Sequence, residues 1–121
     1  MQEILFKCQN IMTMEVFMLP AEKLTSVHDA LSLVSDGAQL GLGGSPLTMN
    51  PVSLAANLIL QETGNLKLVV APIGGFVADL LIAAGSADSV EFAQLGFEEL
   101  GMAPAFRQKT QAGEITVLDH T

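Results

Sequence analysis

The sequence predicts an α/β fold in which one parallel sheet of about four strands carries helices on both faces. Three observations lead to this prediction. From residue 23 onward, short apolar runs alternate with helical patterns. Glycine or proline marks each change from one pattern to the next. The run at residues 66–71 is continuously apolar and rich in β-branched residues, which is typical of buried parallel strands. Strands joined in this way form right-handed βαβ units.

The first predicted unit is a helix and a strand. Thr25 and Ser26 can cap a helix over residues 27–34, whose apolar side chains recur at helical spacing. Asp36 and Gly37 end it, and residues 38–43 form the first strand.

The second helix is predicted to begin at Asn50, a capping side chain, followed by Pro51 at the first helical position. Gly64 ends this unit, and the apolar run after it is the second strand.

The later elements follow the same alternation. Periodicity predicts a helix over residues 77–84 with Gly85 as its stop, and residues 90–95 form the third strand. Pro104 opens a helix that Gly113 terminates, and residues 115–119 form the fourth strand.

Composition limits the class of protein. The chain has 121 residues, 50% of them hydrophobic, a mean hydropathy of +0.46 and a net charge of −8. We expect an N-terminal arm over residues 1–22 and one domain over residues 23–121. Cys8 is the only cysteine, which excludes an intrachain disulfide. With 13 acidic and 5 basic residues, nucleic acid and anionic membranes are poor partners. Without a signal peptide or spanning segment, a cytoplasmic location is expected.

Ligands of open parallel sheets bind beyond the carboxyl ends of the strands. Three loops qualify, at residues 43–50, 72–76 and 96–103. In the first loop, glycines let the backbone approach a ligand, and its N–H groups can bind phosphate or an oxyanion. A tight turn between strand and helix explains the same glycines equally well. The candidate binding residues of this loop are Gly43, Gly44, Ser45 and Asn50.

The other two loops supply weaker candidates. Gly74 and Gly75 precede Asp79, which either points at the site or serves as a cap or surface residue. Glu98 and Glu99 could act as base or nucleophile, although an acidic pair on a loop is more often simply solvated. No catalytic residue and no metal site is assigned.

The ordered motifs resemble the alpha chain of family I coenzyme A transferases, of the glutaconate CoA-transferase type, from about residue 23 to 119. The residues that carry the resemblance are Lys23-Leu24-Thr25-Ser26, Asp29-Ala30, Asp36-Gly37-Ala38, Gly41-Leu42-Gly43-Gly44, Asn50-Pro51, Gly74-Gly75, Asp79-Leu80-Leu81-Ile82, Ala84-Gly85, Gly96-Phe97-Glu98, Leu100-Gly101-Met102-Ala103-Pro104-Ala105-Phe106-Arg107 and Ala112-Gly113-Glu114-Ile115.

This resemblance implies the three-layer fold shared with glucosamine-phosphate isomerase and ribose-phosphate isomerase relatives, with sheet order 4-3-2-1. It implies that Gly43 and Gly44 belong to the family's oxyanion-binding loop, and that coenzyme A or acyl-CoA is a possible substrate with no covalently bound cofactor. The family's nucleophilic glutamate lies in the beta chain, in a Glu-Asn-Gly-type motif that this chain lacks. Ser45 replaces an aromatic residue of the family.

Because the alpha chains of the family are longer, we expect this chain to form a truncated half of the fold. Whether the chain is an enzyme stays open at this point. We expect part of an acyl-CoA or oxyanion site that is not catalytic alone and works with a beta-type subunit. The exposed edge of the first strand and apolar helix faces favour a homodimer or higher oligomer, unless residues 12–19 cover them. The alternative is a non-catalytic, homo-oligomeric binding module without CoA chemistry. A self-sufficient hydrolase using Glu98 or Glu99 is a third, weaker interpretation.

Overall fold

The computed structural model describes residues 24–71 and 73–119. The predicted arm at residues 1–22 lies outside the described residues. In chain order the elements are α1 (Val27–Leu31), β1 (Gln39–Leu42), α2 (Val52–Leu60), β2 (Leu66–Val70), α3 (Phe76–Ala83), β3 (Ala87–Phe92), a 3-10 turn (Glu98–Leu100), α4 (Pro104–Ala112) and β4 (Thr116–Asp119).

The four strands form one parallel sheet in the order β1-β2-β3-β4. Both the parallel direction and the predicted order, which is the same series counted from the other edge, are confirmed. The register aligns Leu40, Leu68, Val90 and Val117 across the four strands, so these side chains share one face of the sheet. Leu68 and Val90, on the central strands, are almost fully buried at that face.

The described helices pack on one face of the sheet, whereas the sequence analysis placed helices on both. Each helix contacts the next in the series from α1 to α4. The reason is the strand order: when right-handed crossovers always step in the same direction across a sheet, they leave every connecting helix on the same side. The opposite face presents Gln39, Lys67 and Thr116, which are exposed. The described residues thus build two of the three expected layers.

Capping residues in the sequence predicted most helix ends correctly. Ser26 caps α1, because its hydroxyl oxygen accepts a hydrogen bond from the Asp29 N–H at 3.1 Å. The Ser26 hydroxyl also donates to the Asp29 carboxylate, which holds the pKa of that carboxyl below its usual value, with a smaller contribution from His28. Pro104 begins α4, and Gly113 ends it in a left-handed conformation with φ of 70°.

The third strand lies earlier in the chain than predicted. It begins at Ala87 and ends at Phe92, whereas the apolar run suggested residues 90–95. Gly85, with φ of 76°, ends the preceding helix and turns the chain directly into the strand. Leu95 lies beyond the strand, where it forms an isolated bridge with Gly74. In the part of the chain described here, no helix combines the length and apolar content needed to cross a bilayer.

Candidate functional site

The first loop, residues 43–50, is closed by its own hydrogen bonds. The Ser45 N–H donates to the Thr48 carbonyl at 3.0 Å. The side-chain amide of Asn50 donates to the carbonyls of Ser45 and Thr48, both at 2.8 Å. Asn50 therefore holds the loop in shape. Its predicted role as cap of α2 is wrong, since Pro51 occupies the capping position and no side chain caps that helix.

Gly43 and Gly44 present exposed backbone at the end of β1. Gly44 has φ of +121°, and a Cβ there would lie 2.7 Å from the Met49 carbonyl oxygen, so this position requires glycine. A Cβ on Gly43 would meet nothing within 4 Å. Among the described residues, no acceptor receives the N–H of either glycine. Two N–H groups without an acceptor among the described residues therefore lie in an exposed loop that its own hydrogen bonds hold, next to the half-buried Ser45.

The second glycine pair packs tightly beneath the first loop. The Phe76 N–H donates to the Pro46 carbonyl at 2.8 Å. A Cβ on Gly75 would lie 2.2 Å from that same carbonyl oxygen, and one on Gly74 would lie 1.8 Å from Cγ1 of Val70. Both glycines are buried. The lack of a side chain at these two glycines allows two chain segments to pack closely. Nothing in the sequence indicated that Pro46 would be one of their packing partners.

The third loop is bonded to the second. The Gly74 N–H donates to the Gln94 carbonyl and the Gly96 N–H donates to the Gly74 carbonyl, each at 3.0 Å. Gly96 also pairs antiparallel with Met102, and the Phe97 N–H donates to the Gly101 carbonyl at 2.7 Å. Backbone hydrogen bonds thus join all three loops into one platform at the carboxyl edge of the sheet.

The two candidate glutamates lie on the exposed turn of this third loop. Glu98 has φ of 54°, a left-handed conformation that is uncommon for residues other than glycine. It borders a cavity of about 310 Å³ together with Gln94, Gly96 and Met102. Glu99 does not border this cavity. Both glutamates are exposed.

Asp79 is buried and serves α4. Its carboxylate accepts the N–H of Phe106 at 2.7 Å and the N–H of Ala105 at 3.3 Å. Of the three roles left open by the sequence, which were a site, a cap and a surface position, the structure shows the cap. Ala103 occupies the capping position of α4 and has no side-chain acceptor, which is the sequence signal for a cap supplied from elsewhere.

Two further ionisable side chains, those of Lys109 and His28, do not gather at the platform. Lys109 forms an ion pair with Glu114 at 2.6 Å on the far end of α4. His28 contacts only its neighbour Asp29, at 3.5 Å, in an exposed position. Within residues 24–71 and 73–119, no group of three or more His, Cys, Asp or Glu side chains comes together in a way that could hold a metal ion.

The platform and its glycine loop can be compared with known proteins. The family model described as "Coenzyme A transferase" matches residues 24–119, which include every element of the fold. The chain belongs to the coenzyme A transferase family. This confirms the resemblance drawn from the ordered motifs.

Similar proteins place the matched region within longer chains. An uncharacterized protein of Archaeoglobus fulgidus is 30% identical over 100 residues, which cover 81% of this chain and 22% of that protein. The chain therefore spans about a fifth of the length of that protein.

Two solved structures share the fold. The crystal structure of a variant of the decarboxylase AibA/AibB matches with a TM-score of 0.72 and 25% identity, over 80% of this chain and 38% of that one. Glutaconate coenzyme A-transferase from Acidaminococcus fermentans matches with a TM-score of 0.73 and 20% identity, over 83% and 32% respectively. The four-stranded parallel sheet with its helices is thus a shared part of larger folds.

Proposed function

We propose that this chain forms one wall of an acyl-CoA site, in which the N–H groups of Gly43 and Gly44 bind the thioester oxygen. A second polypeptide of beta type supplies the nucleophilic glutamate, so this chain is not catalytic alone. The observation that supports the proposal is the pair of exposed N–H donors on a loop held by Asn50. Family membership supplies the acyl-CoA substrate class.

The chemistry follows from charge development. When a carboxylate attacks a thioester, the carbonyl oxygen gains negative charge, and donors already oriented toward it stabilise that state without reorganising. The hydrogen bonds of Ser45 and Asn50 fix the loop that carries the donors. With 13 acidic and 5 basic residues, the chain itself is poorly suited to binding the phosphates of coenzyme A. The proposal assigns that part of the ligand to the partner polypeptide.

An NMR titration with acetyl-CoA tests the role of the loop. We expect the Gly43 and Gly44 amide signals to shift with acetyl-CoA concentration. Gly43→Asp should abolish these shifts, because its carboxylate competes for the donors, whereas Gly43→Ala should retain them, since the space is open. Ser35→Asp adds the same charge at an exposed position elsewhere and serves as the control. Unshifted glycine signals at saturating acetyl-CoA would refute the assignment.

A turnover assay tests the need for a partner. The purified chain should transfer no coenzyme A from acetyl-CoA to a carboxylate acceptor. If it does, and if Glu98→Gln or Glu99→Gln abolishes the activity, the nucleophile belongs to this chain and the proposal of a separate glutamate is wrong.

We also propose that the outer edge of β1, which pairs with no further strand among the described residues, associates with a second copy of the chain. The Ala38 carbonyl accepts a hydrogen bond from Lys67 in β2, and the Leu42 carbonyl accepts one from Ala71 directly after β2. The odd-numbered residues Gln39 and Gly41 therefore direct their backbone groups away from β2. Both residues are exposed, and unpaired edges promote strand addition. Light scattering should show a dimer or larger species that Gly41→Lys converts to monomer. A monomeric parent chain at high concentration would contradict this proposal.

The cytoplasmic location expected from the sequence stays a prediction, and cell fractionation would test it.

A further inference from the structure

A second cavity lies between the end of β3 and the outer surface of α4. Its volume is about 540 Å³, which falls in the range of small-molecule sites. It adjoins the third loop at Met102, and neither Gly43 nor Gly44 borders it. The proposed acyl-CoA function makes no use of this space. The residues around the cavity are Phe92, Ala93, Gln94, Leu95, Met102, Phe106, Arg107, Thr110 and Gln111.

The floor of the cavity is apolar and held in place before any ligand arrives. The rings of Phe92 and Phe106 meet edge to face, with centroids 5.0 Å apart. Leu95 and Phe106 are only 5% and 6% exposed, so their positions are fixed by the core beneath them. Binding an apolar group here would therefore require little rearrangement.

The rim carries the cationic side chain of Arg107. The ion pairs within the described residues are His28 with Asp29 and Lys109 with Glu114, so Arg107 forms no ion pair with a described carboxylate. Arg107 is exposed and lies one turn before Gln111 on the same side of α4. In a chain of net charge −8, a guanidinium that forms no ion pair with the described residues and borders the same cavity as apolar side chains is complementary to a ligand with an apolar body and one anionic end.

We propose that this cavity binds a small amphipathic carboxylate, with its hydrocarbon part against Phe92, Leu95 and Phe106 and its carboxylate at Arg107. The side chains of Gln94, Thr110 and Gln111 complete a polar rim that can donate further hydrogen bonds. The site is separate from the glycine loop. It stands whether or not the acyl-CoA proposal is correct.

Octanoate is the probe, and 1-octanol is its uncharged counterpart. Because the chain contains no tryptophan or tyrosine, binding is followed by amide NMR shifts rather than by intrinsic fluorescence. Octanoate should shift the signals of Phe92, Leu95, Phe106 and Arg107 in a saturable way, and 1-octanol should bind about fivefold more weakly. That factor corresponds to about 1 kcal/mol, the upper value for an exposed ion pair.

Three variants of the full chain separate the contributions. Arg107→Gln should weaken octanoate about fivefold and leave 1-octanol unchanged. Lys67→Gln removes the same charge from the opposite face of the sheet and should change neither affinity. Ala93→Phe places a ring at the exposed cavity wall and should weaken both probes.

Two results would overturn the proposal. If octanoate and 1-octanol bind with equal affinity in the parent chain and in Arg107→Gln, the cavity does not recognise an anion. If saturating octanoate shifts signals on α1 or α2 but none around the cavity, the ligand site lies elsewhere. The acetyl-CoA titration reads Gly43 and Gly44 instead, so failure of one proposal is distinguishable from failure of the other.

Discussion

Two glycine pairs occupy equivalent places in the chain, and the fold uses them in opposite ways. Gly43-Gly44 follows β1, and Gly74-Gly75 follows β2 at the same edge of the sheet. The first pair is exposed, with donors that no described residue uses. The second pair is buried against Pro46 and Val70 at distances that no side chain could occupy. A glycine pair at a strand end therefore either stays exposed or lies buried against neighbouring chain, and only the packing tells the two cases apart.

The difference extends to the polar residue near each pair. Asn50 folds the open loop back on itself through its side-chain amide. Asp79, after the packed pair, reaches across to the first turn of α4 and joins two helices. The open region is thus stabilised locally, and the packed region is stabilised by contacts distant in sequence. Substitutions in the packed region should cost more stability.

The largest effect is expected from Gly75→Ala. Its Cβ would lie 2.2 Å from the Pro46 carbonyl oxygen, a backbone atom that cannot move aside alone. We expect a loss of about 3 kcal/mol in the free energy of unfolding, measured by urea denaturation. Gly43→Ala is the matched control and should change stability by less than about 0.5 kcal/mol. Equal losses in the two variants would remove the distinction between the pairs.

Asp79→Ala should produce the next largest effect. It deletes a buried acceptor and leaves two N–H groups of α4 without their partner, at a cost of about 2 kcal/mol in unfolding free energy. Asp79→Asn keeps one acceptor oxygen and should lose less. Asp88→Ala removes an exposed carboxylate of the same type as the control. If Asp79→Ala and Asp88→Ala denature at the same urea concentration, the carboxylate does not hold α4.

Asn50→Ala should produce the smallest of the three losses, about 1 kcal/mol, because its two hydrogen bonds lie within one partly exposed loop. Asn57 is the control, since its side-chain amide also donates to one backbone carbonyl, that of Ser53, within α2. Asn57→Ala should be neutral or slightly stabilising, because alanine favours the helix. Asn50→Ala should in addition broaden or shift the Gly43 and Gly44 amide signals. Unchanged signals would show that Asn50 does not control the loop.

Much of the fold was predictable because its signals are local. Pro104 and Gly113 mark the ends of α4 through backbone geometry alone, and Ser26 caps α1 as expected. The strand order came from the family resemblance rather than from periodicity. The third strand was misplaced by three residues at its start, since Gly85 and the register with β2 set that boundary and hydrophobicity does not.

The position of the candidate site could be predicted from the sequence, but the roles of its individual residues could not. The sequence identified three loops at the carboxyl edge, and backbone hydrogen bonds join them there. It could not assign Asn50 to the loop, because a capping side chain and a loop-closing side chain look identical before the partner carbonyls are known. The cavity beside Arg107 was not predicted, because it requires Phe92 and Phe106 to meet across the fold.

The sequence by itself determined the alternation of strands and helices and the family of the chain. Both depend on neighbouring residues and on the order of motifs along the chain. Only the tertiary structure decided which glycines are exposed, which carboxylate caps a helix, and on which face of the sheet the helices lie. Those outcomes depend on distances between segments that are remote in sequence, and burial fixes them once the sheet has assembled.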